Sequence, residues 1–90
     1  MKHTLNDALI LAAVASGAAD APSIRSWVDW IDHSLLSDRQ IAAGLRHLAA
    51  AGLVTVRRSR AALVEVSLHD LVRVRRPGLV VELAIVLLKR

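Results

Sequence analysis

Apolar positions along this chain fall into three stretches of helical spacing, then an alternating stretch, then an almost unbroken run. In the first stretch Leu5, Leu9 and Ala12 share one face with Ala8 beside them, while Ile10 and Val14 point the other way. Thr4 stands where an N-cap belongs, Asp7 suits the positive helix end, and Gly17 is a stop, so helix one is predicted over residues 5–16. A helix apolar on both sides is either sandwiched within the chain or part of a contact between copies. The second stretch, residues 22–33, opens with Pro22, tolerated in a first helical turn because its missing N–H would be unpaired anyway. Ile24, Trp27, Val28 and Ile31 predict its buried stripe, with Trp30 at the edge. Trp27 and Trp30 are read as core anchors. A stacking platform for bases wants nearby positive charge, and Asp29 and Asp32 flank these rings instead.

The third helix is the most sharply bounded. Ser37-Asp38-Arg39-Gln40 has the pattern of a capping box, in which the serine hydroxyl accepts from the Gln40 amide and the glutamine side chain reaches back. Ile41, Leu45 and Leu48 recur at i, i+4 and i+7, and Gly52 is a natural residue just past the helix end. Leu53-Val54 then start a strand that continues to about Arg57. A second strand is predicted over residues 62–68: Val64, Val66 and Leu68 share one parity, and Glu65 and Ser67 the other with Leu63, as in a half-buried antiparallel strand. The turn between, Arg57-Arg58-Ser59-Arg60, lacks Asn-Gly or Asp-Gly, which leaves its type open. Residues 69–76 read as a short helix and Pro77-Gly78 as a break. In the run from Leu79 to Leu88, β-branched residues favour a strand, whereas length and the lone Glu82 favour a helix. Helix is the expectation, and so apolar a segment must be covered by helix one or by a second copy.

Ninety residues make one small domain: a three-helix core over 1–54, a hairpin over 55–68 and a C-terminal extension over 69–90. The apolar fraction is 54%, yet the only aromatics are the two tryptophans, so the core is built from Ala, Leu, Val and Ile. No apolar run approaches the roughly 20 residues that span a bilayer, and Asn6-Asp7 precede too short a run for a signal peptide. No membrane association is expected. The absence of cysteine fits a reducing interior, and the expected location is cytoplasmic.

Charge changes the picture more than composition does. Residues 1–54 carry four cations and five carboxylates, net −1, whereas residues 55–90 carry eight and three, net +5. A positive field concentrated on the hairpin and C-terminal part favours a polyanionic partner, although it also serves as a solvated surface. Chemistry of other kinds is poorly supplied. His3, His33, His47 and His69 show no spacing of a zinc motif. The cluster Asp29, Asp32, His33, Ser34 and the pair His69-Asp70 are ordinary local groupings, and no glycine-rich phosphate loop is present. The chain is expected not to be an enzyme and to use no cofactor or metal.

The stretch Ser37–Val54, a polar cap followed by Ile41, Leu45 and Leu48 and then Ala51-Gly52-Leu53-Val54, resembles the third helix and first wing strand of bacterial winged helix-turn-helix regulators. The resemblance runs from about Thr4 to Leu68 and extends to small bacterial proteins that carry this domain alone. It departs from the regulators before Ser37, where the segment with Trp27-Val28-Asp29-Trp30-Ile31 is longer. The implied fold is mainly α with a small antiparallel β-hairpin, a winged helix. The implied role is transcription regulation by reading double-stranded DNA, with the third helix in the major groove.

Subtracting the core face of that helix leaves Arg39, Ala43, Arg46 and Ala50 outward, with Gln40 and His47 beside them. Arginine pairs with guanine and glutamine with adenine, each for about 1–3 kcal/mol of discrimination. Arg57, Arg58 and Arg60 at the hairpin tip are the candidate wing contacts to phosphate or a narrow minor groove. Two counter-readings stand beside these. Charged residues on a hairpin also keep its edge from pairing with other chains. The small residues Ala42-Ala43-Gly44 would also let a partner's backbone approach, making this a protein-interaction module without DNA binding. A homodimer is expected through helix one and residues 79–88, giving a roughly palindromic target.

Overall fold

The computed structural model describes residues 4–58, 60–64 and 77–88. Its elements are α1 (Leu5–Ala15), α2 (Ala21–Asp32), α3 (Asp38–Ala50), β1 (Val54–Arg57), β2 (Arg60–Leu63) and α4 (Pro77–Leu88). Three helices, a two-stranded antiparallel hairpin and a C-terminal helix follow one another; the first two helices lie within a residue of expectation, and the third, expected over 37–52, lies within two. The terminal apolar run is helical as expected, but Pro77-Gly78 opens α4 instead of breaking the chain before it. Proline suits a first helical position. The expected helix over 69–76 and the strand positions 65–68 lie outside the described residues. Among the described residues no helix is long and apolar enough to cross a membrane.

Each early helix is bounded by its own side chains. Thr4 and Asp7 form a reciprocal capping box on α1, and Ser37 and Gln40 form another on α3. The α3 end is closed by Gly52, whose φ of 77° only glycine adopts freely, with Gly52 N–H donating to Ala49 O and Leu53 N–H to Leu48 O. The paired bonds at Gly17 and Ala18 close α1 in the same way.

Helix α1 is the centre of the molecule. Every residue from Asp7 to Ala15 is buried, and α2, α3, β2 and α4 all pack against it. Of the two possibilities for a helix apolar on both sides, it is sandwiched within the chain. The expected contact between copies through helix one is therefore corrected: its surface is already consumed. Val80 and Ala84 of α4 complete the cover. Each leucine, isoleucine or valine side chain fully buried in this way contributes roughly 1.5–3 kcal/mol.

Three further expectations change. Trp27 packs partly buried against the core, but Trp30 is 64% exposed and anchors nothing there. Leu45 is only half-buried, and Gly44 takes the inner position. The outward reading of Gly44 is thus overturned: its neighbour is α1, so near that an added Cβ would lie 2.3 Å from Ile10 Cδ1 and 3.4 Å from Asp7 Oδ1. The hairpin register pairs Val54 with Leu63 and Arg57 with Arg60. Strand β2 begins at Arg60, two residues earlier than expected, and its inward parity is that of Ala61 and Leu63, because Ala61 is buried and Val64 already lies outside it.

The α1–α3 contact yields a test. Gly44→Ala gains helix propensity of about 1 kcal/mol but forces a methyl onto the buried Ile10, and overpacking of this kind costs about 1–3 kcal/mol. Net destabilisation is expected in urea titrations. Ile10→Val, which deletes the obstructing Cδ1, should make Gly44→Ala neutral or stabilising in the double variant; additive effects would contradict the close approach.

Candidate nucleic-acid interface

The candidate residues divide into those free to contact a ligand and those already occupied. On α3, Gln40 Oε1 accepts from Ser37 N–H at 2.8 Å while Ser37 Oγ accepts from Gln40 N–H at 3.1 Å. The glutamine side chain is committed to its cap. His47 sits 3.2 and 3.3 Å from the two carboxylate oxygens of Asp7 through its Nδ1. Asp7, with 2% of its side chain exposed, also accepts from Thr4 N–H through Oδ2 at 3.0 Å. One ring nitrogen of His47 thus faces inward, and the side chain keeps 41% of its surface. Ala43 is half-buried, whereas Arg39 and Arg46 are exposed and form no ion pair among the described residues. Asp38, the carboxylate nearest the α3 start, is bonded by the Arg25 guanidinium, whose Nε donates to Leu36 O at 3.1 Å. Arg25 therefore offsets the negative charge there and fastens α2 to the connection before α3.

The hairpin concentrates positive charge at its tip. Arg57 and Arg60 are directly cross-strand partners, so two residues make the turn, and Arg58 holds a left-handed φ of 49°. Like charges directly opposite each other on a strand pair are destabilising. All three arginines are exposed. At the other edge Ala61 N–H donates to Ala19 O at 2.7 Å, joining β2 to the loop before α2. Asp20, the N-cap of α2, lies beside Arg60. The Ser23 backbone N–H, followed by the Ser23 hydroxyl, holds the Asp20 carboxyl below its ordinary range, with a smaller contribution from Arg60 that works against partial desolvation.

Between α3 and β1 lies a half-open groove of about 420 Å³. Its lining is mostly apolar, from Ala21, Ile41, Ala42, Leu45, Ala49 and Val56, with Arg46 and Asp38 as the charged members. Exposed Val56 faces it. The capping box, the basic turn and the outward arginines were legible from spacing. The Asp7–His47 pair, the Arg25–Asp38 clasp and the groove were not, since each joins residues distant in sequence. Comparison with protein-family models, curated proteins and solved structures finds no match to this chain.

The Asp20 site predicts an acid dependence. Its folded pKa is lowered, so its contribution to stability is present above the unfolded pKa and lost as pH falls through the folded one. Asn also caps helices, so Asp20→Asn removes the charge and keeps the cap. The wild type should be the more stable at neutral pH, with the difference closing as the solution is acidified below about pH 4. Thermal melts at stepped pH read this; a gap constant across pH would mean that the charge contributes nothing.

Proposed function

We propose that this chain is a winged-helix protein that binds double-stranded DNA and acts as a transcriptional regulator, with α3 in the major groove and the hairpin as its wing. The observation that supports this best is the arginine tip. Arg57 and Arg60 face each other across the strand pair, with Arg58 between them in the turn. The repulsion between the facing pair is relieved when phosphates come between. Arg39 and Arg46 supply the leading contacts from α3, to guanine edges or phosphate. Ala43 offers a methyl. With its amide used in the cap, Gln40 positions the helix more than it reads bases, and His47 presents its solvent-facing edge while Asp7 holds the other.

Two copies pair through α4 in this reading, where Val86 is 58% exposed and Val81 and Ile85 are half-buried. A dimer of this kind reads half-sites about one helical turn, or a multiple of it, apart. A second reading, a protein-interaction module in the same fold, is favoured by the apolar groove beside α3.

Titration of the protein into labelled mixed-sequence duplex at about 50 and 200 mM salt tests the proposal. Affinity should fall steeply with salt, by about three to five decades for six to ten phosphate contacts. Arg58→Asn combined with Arg60→Ala, in which asparagine tolerates the left-handed turn position, should weaken binding to all sequences and reduce the salt slope by about one to two. Absence of binding at the lower salt removes the DNA reading; an unchanged slope removes the wing.

A further inference from the structure

We propose that the groove between α3 and β1 is a docking site for an acidic amphipathic helix of another protein. The floor and the margin of the groove carry the argument together. Ala42, Leu45 and Ala49 lie at i, i+3 and i+7 on α3, one continuous stripe along the helix. Val56, 44% exposed, continues the apolar surface onto β1. Helix-in-groove recognition uses such a floor, filled from the partner by side chains at i, i+3, i+4 and i+7. Ala42 and Ala49, on either side of Leu45, let a second helix approach closely there, toward the short end of the usual 8–10 Å between axes.

The margin selects the charge of the occupant. Arg46 lines the groove, and Arg39, seven residues or two turns before it on the same edge of α3, lies just outside the lining; both are exposed without an ion-pair partner among the described residues. Asp38, four residues before Ala42, stands at the start of the stripe, and its carboxylate is already bonded by Arg25, so the cations of this face outnumber it. A helix that lays an apolar face on the stripe and aims carboxylates at the two arginines satisfies both features. Duplex DNA satisfies only the second, because the floor offers it methyl contacts alone. The docking stands independently of the DNA reading. Where both hold, the partner shares Arg39 and Arg46 with the duplex, and the two ligands exclude each other.

The probe is a fluorescein-labelled synthetic helix with leucines at i, i+3, i+4 and i+7 and glutamates seven apart on one flank, titrated into the full chain and followed by anisotropy. A second peptide has lysine in place of each glutamate, and a third has serine in place of each leucine. The acidic peptide should bind, and both others should bind about tenfold or more weakly. In the double variant Arg39→Glu, Arg46→Glu the preference should invert, the lysine peptide becoming the tighter ligand. Both substituted side chains are exposed, and a circular dichroism melt of the variant confirms its fold. Equal binding of the acidic and basic peptides, no binding of the acidic one, or a preference that fails to invert overturns the proposal. Self-association abolished by the same variant would assign the groove to a second copy and overturn it as well. A labelled duplex titrated in parallel keeps the two readings separate: peptide binding without DNA binding removes only the regulator, and DNA binding without peptide binding removes only the docking site.

Discussion

A helix that is apolar around its whole circumference must be wrapped, and that requirement organises this molecule. A neighbouring helix covers a stripe of roughly 100°, so α1 needs three or more neighbours to leave water completely. Helices α2 and α3 and the hairpin strand β2 provide part of this cover, and α4 provides the rest. The C-terminal helix is therefore part of the core. The single charge admitted to the buried length is Asp7, placed in the first turn of α1, where its carboxylate accepts from Thr4 N–H and meets His47.

The wrapping of α1 also sets the outward surface. Close approach at Gly44 and the inward turn of His47 fix the rotation of α3 about its axis. With Ile41 and Leu48 directed inward, Arg39, Ala42, Arg46 and Ala49 have no direction left but outward. The result is a face with Ala42, Leu45 and Ala49 along its middle and cations along one edge, beside a hairpin tip that exposes Arg57, Arg58 and Arg60. On the outward side of α2 the charge is opposite, from exposed Asp29 and Asp32 near the exposed Trp30.

Local signals made most of the architecture readable in advance. Caps, stops and helical spacing located α1, α2 and α3 to within two residues, because these depend on side chains three or four positions apart. The terminal helix followed from length against β propensity. Misreadings arose wherever tertiary contact decided the outcome. Gly44 looked like one small outward residue among several, until α1 came close enough to take it. Trp30 looked like an edge of the buried stripe, but the core behind α2 is filled by Ile24 and Val28. Of the candidate surface, the arginines were visible as charge, while the occupied state of Gln40 and His47 required the capping geometry and a contact across forty residues.

The bond from Ala61 N–H to Ala19 O has a mechanical meaning. The hairpin is a cantilever clamped at its base, where Val64 N–H donates to Leu53 O, and again along one edge at Ala61, adjacent in sequence to the tip residue Arg60. With strands of only four residues, little free length remains beyond that second clamp. A load applied to the arginine tip is carried into the loop before α2 instead of being absorbed as bending. The hairpin and the start of α2 then move as one stiff piece, and a displacement at either end is felt at the other.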